Sequence, residues 1–363
     1  MTTLLMIGTR KGLWLAHSDD DRRSWKLDGP HFLMQEIAAC AIDTRAGAVR
    51  LLAGARSEHW GPSVFHSDDL GSTWTEPDGG AVRFPPEADA AVRAIWQLRP
   101  DVAARPNVVW AGSEPSALWR SDDGGQTFAL VEGLWDHPHR PTWQAGFGGQ
   151  AIHTVLPDPT DEARVLVAMS TGGVYVTDDG GTSWRPSNTG IKAYFLPDPW
   201  PEYGQCVHKV ARDAAEPWRL FAQNHHGVYR SDDSGASWTS IADGLPSDFG
   251  FPMVTHPSRA GTAWVTPLVA DGERIPPEGA LRVWRTTDAG ESWASVSSGL
   301  PDSGFYVAVM RDAFTADDVE DSAGLYLGAR DGSVFASPDE GGTWSEVTRH
   351  LPDVLCVRAA TLP

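Results

Sequence analysis

Cysteine is scarce in this chain, and positive charge is scarcer than negative. Cys40, Cys206 and Cys356 are the only cysteines, and no two stand close enough for a C-x-x-C pair. That excludes a disulfide framework and a zinc knuckle, and it fits a reducing compartment. Lysine and arginine number 29 against 48 acidic residues, a net charge of −19. A surface of that sign repels phosphate backbones, so general nucleic-acid binding is not expected. Long apolar runs are missing as well: the opening MTTLLMIGTRKG has an apolar run of only four residues before Arg10 and Lys11. Neither a secretory signal nor a membrane span is expected, which leaves a soluble, cytoplasmic protein with no membrane partner. Stretches with helical periodicity are also lacking. What is plentiful is glycine (37), proline (27) and tryptophan (17), a turn-rich and aromatic-rich set that suits short strands.

Six of the tryptophans close one recurring octapeptide. The copies read SDDDRRSW from Ser18, SDDLGSTW from Ser67, SDDGGQTF from Ser121, TDDGGTSW from Thr177, SDDSGASW from Ser231, TTDAGESW from Thr286 and SPDEGGTW from Ser337. They start 49, 54, 56, 54, 55 and 51 residues apart, a period that marks one supersecondary unit used repeatedly. In [ST]-x-D-x-G-x-[ST]-[WF] the Asp accepts backbone N–H groups in a tight turn. The Gly supplies a conformation that side chains resist, and the aromatic ring buries itself between neighbouring sheets. The first copy departs from the pattern, with Arg22 where the others have Gly.

Upstream of each octapeptide lie two alternating runs joined by a short turn, as in VLVAMS (165–170) followed by GVYVTDD. Further upstream is a third run: IWQLRPD (95–101), IHTVLPD (152–158), VHKVARD (207–213). Four strands per repeat and seven repeats imply an all-β fold: a seven-bladed β-propeller of four-stranded antiparallel blades, one domain over residues 1–363. The N-terminal TLLMIGTRKGLWLAHSDD lacks an innermost strand, and DVLCVRAATL (353–362) has the character to supply it. The two ends are therefore expected to complete one blade together.

This pattern resembles the Asp-box, or bacterial neuraminidase repeat, propeller superfamily, and the resemblance spans essentially the whole chain. Its members include sialidases, xyloglucan-cleaving hydrolases, sortilin-type receptors and photosystem II assembly factors, so it implies a fold and not one activity. It also implies that the octapeptide turns face away from the usual ligand mouth. Sialidases clamp a substrate carboxylate with three arginines. Here the Arg-Ile-Pro context of that family is missing, since RFPP (83–86) lies in a loop, and Tyr306 is the only candidate for a tyrosine nucleophile.

Function is expected where the repeats differ, at the opposite face. The turns between second and third strands carry Arg10, Arg56 and Arg330 in three repeats that would be neighbours in a closed ring. Guanidinium groups that converge suit a carboxylate or phosphate. Glu58, Glu114 and Asp331 on the same turns are candidate acids and bases. Inner-strand starts carry Trp96, His153 and His208, and neighbouring turns add His59, Asn224 and His225. Two long connectors, 132–150 and 188–205, bring Trp135, Trp143, Trp200 and Tyr203, which could wall a pocket or pack onto the blades.

Three readings follow. The first is a mouth for a small anionic molecule or acidic sugar, with chemistry of the glycoside hydrolase or lyase kind. In it Glu58, Glu114, Asp331, His153 and His208 are catalytic candidates; Arg10, Arg56, Arg330, His59, Trp96, Asn224, His225 and Tyr306 bind substrate. The second is a metal-dependent enzyme with a transition metal on His153, His208 and His225. The third is a non-catalytic scaffold for a protein partner.

Overall fold

The computed structural model describes residues 2–18, 22–78, 80–146, 148–269 and 272–362. The alternating runs form antiparallel strands that gather into small sheets in chain order. Ala94–Pro100, Val109–Glu114, Ala117–Ser121 and Ala129–Leu130 make one four-stranded sheet. Three more of the same order begin with Ile152–Pro157, Val207–Arg212 and Phe249–Thr255. Glu36–Asp43 leads a three-stranded sheet whose edge is extended by a bridge between His66 and Thr75.

The remaining strands form one eight-stranded sheet, with Val354–Leu362 inside it. That strand pairs antiparallel with Thr2–Thr9 along its whole length, from Thr2–Leu362 to Thr9–Val354. It thus serves as the inner strand that the N-terminal run lacks. Its contact with Val309–Ala316 is a single parallel pair, Asp312–Cys356, so two four-stranded units meet there at their inner strands. Among the described residues no helix is long and apolar enough to cross a membrane.

Apolar faces of successive sheets pack on one another. Leu4, Met6, Leu13, Leu15, Ile37 and Leu51 form one such layer, and Val155, Val167, Met169, Tyr175 and Trp184 another. The first layer also brings Cys40 and Cys356, far apart in sequence, to 3.5 Å between sulfurs, both as free buried thiols.

The octapeptides form one turn built six times over. In the copy starting at Ser231, the Gly235 N–H donates to Ser231 Oγ at 2.8 Å, and that hydroxyl donates to Asp233 Oδ1 at 2.7 Å. The same carboxylate accepts the Ser237 N–H at 2.9 Å and the Ser237 hydroxyl at 2.6 Å. Equivalent bonds recur in the copies from Ser67, Ser121, Thr177, Thr286 and Ser337. Ser234 and Gly235 hold φ of 59° and 92°, two left-handed residues in succession, which is why Gly recurs at the second. Donation by Thr73 and Ser183 holds the exposed Asp69 and Asp179 carboxyls down to about 2.

The closing tryptophan links neighbouring sheets. Trp238, Trp293 and Trp344 donate their Nε1–H to the carbonyls of Ser187, Ile241 and Val296, each on the preceding repeat, at 2.8–2.9 Å. Asp20 of the first octapeptide lies outside the described residues. Its Arg22 is left-handed at φ 51° and its guanidinium reaches Asp317 at 3.3 Å and the Ser322 carbonyl at 2.9 Å.

The inner strands share one irregularity that positions the site. Each of these shifts register near its start: Ala38, Trp96, His153 and His208 are single bulged residues, and Phe251 and Pro252 together face Thr266. In Val309–Ala316 the shift is longer and spans Met310 to Ala313. A bulge breaks the two-residue alternation and re-aims the side chain.

Candidate functional site

At the bulged ends of the inner strands, Arg311 is 7% exposed and makes no hydrogen bond or ion pair among the described residues. Its guanidinium carbon lies 5.2 Å from the Trp96 ring and 5.9 Å from that of Phe251. The backbone of Gly148, on one of the long connectors, comes close to both Trp96 and Arg311. Asp312, next in sequence, forms no ion pair with it. That carboxylate accepts Lys209 Nζ at 2.8 Å and pairs with Arg358, at the inner end of a channel of about 530 Å³ that opens on the octapeptide side. Burial is the largest influence on the Arg311 guanidinium and pulls its pKa down.

Around Arg311 stand two neutral imidazoles. His153 is 1% exposed; its Nε2 bonds the Val207 carbonyl at 2.9 Å and its Nδ1 faces Thr154 Oγ1 at 3.1 Å. His208 is 3% exposed, and its Nδ1 lies 2.5 Å from the Gly250 carbonyl. Both rings therefore also staple one inner strand to the next. Burial first, then the Arg311 charge, pushes both well below the ordinary imidazole range. Cys206 Sγ lies 3.6 Å from His208 Nε2, and burial raises the thiol above its usual range while Arg311 pulls it the other way. His225 packs edge-on to His208 with ring centroids 5.6 Å apart.

The wall continues outward along the connector 188–205. Phe195 packs against His225 and His226, and Lys192 Nζ sits 5.1 and 5.2 Å from the rings of Tyr194 and Trp200. Tyr194 and Trp200 are more than half exposed beside a cavity of about 460 Å³. Trp135 and Trp143 instead pack onto the blades. Each is nearly buried, and Trp143 donates to Tyr175 Oη at 3.0 Å.

Several expected site residues occupy other settings. Arg10, Arg56 and Arg330 do come together, but around carboxylates of their own chain. Arg330 pairs with Asp353 at 2.7 Å, Arg10 with Asp353 at 3.6 Å and Glu36 at 3.3 Å, and Arg56 with Glu36 at 3.6 Å. Five alternating charges thus satisfy one another at the surface. Glu58 and His59 are exposed on a hairpin tip, and Asp331 accepts the Ser333 N–H within its own turn at 3.0 Å. Of the three expected acids only Glu114 reaches the mouth, where its Oε2 accepts Trp96 Nε1–H at 3.2 Å.

Tyr306, the candidate nucleophile, is 62% exposed and lies three residues before the inner strand Val309–Ala316. Asn224 is fully buried and braces its turn, donating to the Lys192 and His226 carbonyls. His153 is no partner of His208 and His225 in a ligand set; Cys206 takes that place. Sequence reasoning missed Arg311, Phe251 and Cys206. The register of the bulges, aligning Trp96, His153 and His208 with Phe251 and Arg311, is the signal that finds the first two.

No protein-family model matches the chain. A xyloglucanase from Paenibacillus sp is 26% identical over 284 residues, covering 67% of this chain and 26% of that protein. An oligoxyloglucan-reducing end-specific xyloglucanase from Emericella nidulans is 26% identical over 232 residues, 54% of this chain and 26% of its own length. The chain thus spans about a quarter of these curated relatives. Among solved structures, an ancestral GH74 enzyme superposes with a TM-score of 0.59 at 15% identity, over 86% of this chain and 38% of that one. YCF48 from Cyanidioschyzon merolae gives 0.53 at 14%, over 93% and 89%. At such identities the likeness is one of fold, and with the sheet order above it makes this chain a β-propeller.

Proposed function

We propose that this chain is a seven-bladed propeller of the Asp-box type whose mouth binds a small carboxylate- or phosphate-bearing sugar, with Arg311 as the anion's partner. One observation carries the reading: a guanidinium 7% exposed that has no hydrogen-bond partner among the described residues. Its Nε is buried with no hydrogen-bond partner, which is costly, and a bound anion supplies the missing acceptor. Trp96 and Phe251 stand within cation–π distance of the guanidinium, whose N–H groups suit a two-pronged contact with an anion. The sugar component draws on the similarity to xyloglucanases and on the exposed Tyr194 and Trp200 flanking Lys192.

Glu114 is the acid-base candidate of this mouth. Hydrolysis by a carboxylate pair needs a second acid within reach, and Glu58 and Asp331 sit on turn tips. Binding of the acidic sugar is therefore the core of the reading, with proton transfer assigned to Glu114.

The test is calorimetric titration with uronic acids, sugar phosphates and neutral xyloglucan oligosaccharides, on the natural chain and on Arg311→Met. Saturable binding of an acidic sugar that the variant loses is the expected result. Equal affinity of both proteins for every ligand that binds would overturn it.

A further inference from the structure

Cys206, His208 and His225 present one ligand atom each within 4.8 Å of the others. We infer that these three side chains form a binding site for a transition-metal ion of the zinc class.

The hydrogen bonds around His208 prepare it as a ligand. The Gly250 carbonyl can only accept, so the proton of the neutral ring sits on Nδ1, 2.5 Å away. Nε2 is left as a lone pair, and it faces Cys206 Sγ at 3.6 Å. A ring nitrogen tethered to a backbone carbonyl while the other faces the ion is the usual arrangement of metal-bound histidine. His225 is set by its own turn, whose backbone N–H donates to the Cys206 carbonyl at 2.9 Å. All three ligands belong to one sheet unit: Cys206 and His208 at the start of its inner strand, His225 just beyond Leu220–Asn224.

The donor set selects the ion. One sulfur and two imidazoles suit zinc, cobalt or copper; calcium and magnesium want oxygen. Phe249 and Phe251 pack on His208 at ring distances of 5.4 and 4.9 Å, and Phe249 on His225 at 5.2 Å, so the walls are apolar. The three ligands found among the described residues leave a coordination position for a further group, as catalytic zinc sites do. A divalent ion with one thiolate and two neutral rings keeps a single positive charge. Phe251 packs against both the His208 ring and the Arg311 guanidinium, at 4.9 and 5.9 Å, so the two cations share one mouth and suit an anionic fourth ligand. The three-ligand site stands whether or not Arg311 binds a sugar; only the fourth ligand rests on the function proposed above.

The experiment uses tag-free full-length protein, analysed for metal as purified, then stripped with chelator and titrated with Zn²⁺ and Co²⁺. One equivalent of bound metal is expected, with a near-ultraviolet sulfur-to-cobalt charge-transfer band. Cys206→Ser should abolish that band, and His225→Gln should weaken affinity by more than the roughly 10–100-fold that loss of an outer-shell partner costs. Circular dichroism of both variants establishes that they are folded. Arg311→Met should keep the band while losing the acidic sugar, so the two proposals fail separately. Folded natural protein that takes up no metal and shows no cobalt band would overturn the site, as would a band that survives in Cys206→Ser.

Discussion

The octapeptide turns and the mouth are built from the same materials, charged and polar side chains, to opposite ends. In the turns both oxygens of the third-position Asp accept donors from within the octapeptide, and six copies repeat the same bonds. At the mouth one charge is left over: Arg311 has no hydrogen-bond or ion-pair partner among the described residues. The arginines sharpen the contrast. Arg10, Arg56 and Arg330 are about half exposed and paired with Glu36 and Asp353, whereas Arg311 is buried and unpaired. Exposed pairs of that kind contribute about 0–1 kcal/mol, while a buried lone charge is a standing deficit. Repetition marks what holds the wheel together, and an unmet electrostatic demand marks where we propose that it binds.

Four measurements would break or sharpen this contrast. Trp238→Ala, on the octapeptide side, removes a ring that is 4% exposed and its bond to Ser187. It should lower unfolding stability by about 3–5 kcal/mol in a denaturant titration, with ligand affinity in the folded protein unchanged. Arg311→Met should do the reverse. Acidic-sugar affinity falls by about 2–5 kcal/mol by calorimetry, while the melting temperature without ligand stays level or rises.

The third concerns acid. The Asp69 and Asp179 carboxyls are held near 2 when folded, below the roughly 3.9 of an unfolded Asp, so the folded turn binds fewer protons. Their contribution is complete above about pH 4 and is lost as pH falls toward 2. A melting series over that window should show the decline, and Asp69→Asn should make it shallower. The smallest effect belongs to the exposed arginines. Arg10→Gln and Arg330→Gln should each shift stability by less than about 1 kcal/mol and leave acidic-sugar binding within twofold. A large binding loss in either would move the anion site from the centre of the mouth to its rim.

Much of this was legible in the linear chain, and the reasons differ from residue to residue. Ser231, Asp233, Gly235 and Ser237 close their turn within seven residues, so spacing alone exposes it. Trp96, Glu114, His153, His208 and His225 were found by aligning repeats, because equivalent positions in equivalent strands fall at the same end of the sheet. Arg311 escaped the same alignment. The register shift from Met310 to Ala313 is longer than in the other inner strands, and Tyr306 stood where a regular count places the strand start. Cys206 escaped because one cysteine in a sequence carries no mark of a ligand until its neighbours are known. The fate of the arginine trio was hidden for a different reason: Glu36 and Asp353 are 26 and 343 residues from Arg10, and no local pattern joins them.

What the chain determined by itself is the repeating sheet unit and its turn, since both rest on contacts among residues close in sequence. Which charges are cancelled and which are left waiting was decided only in three dimensions. Pairing there depends on distance across the wheel and on the bulges that re-aim each inner strand, and neither is a property of residues adjacent in the chain.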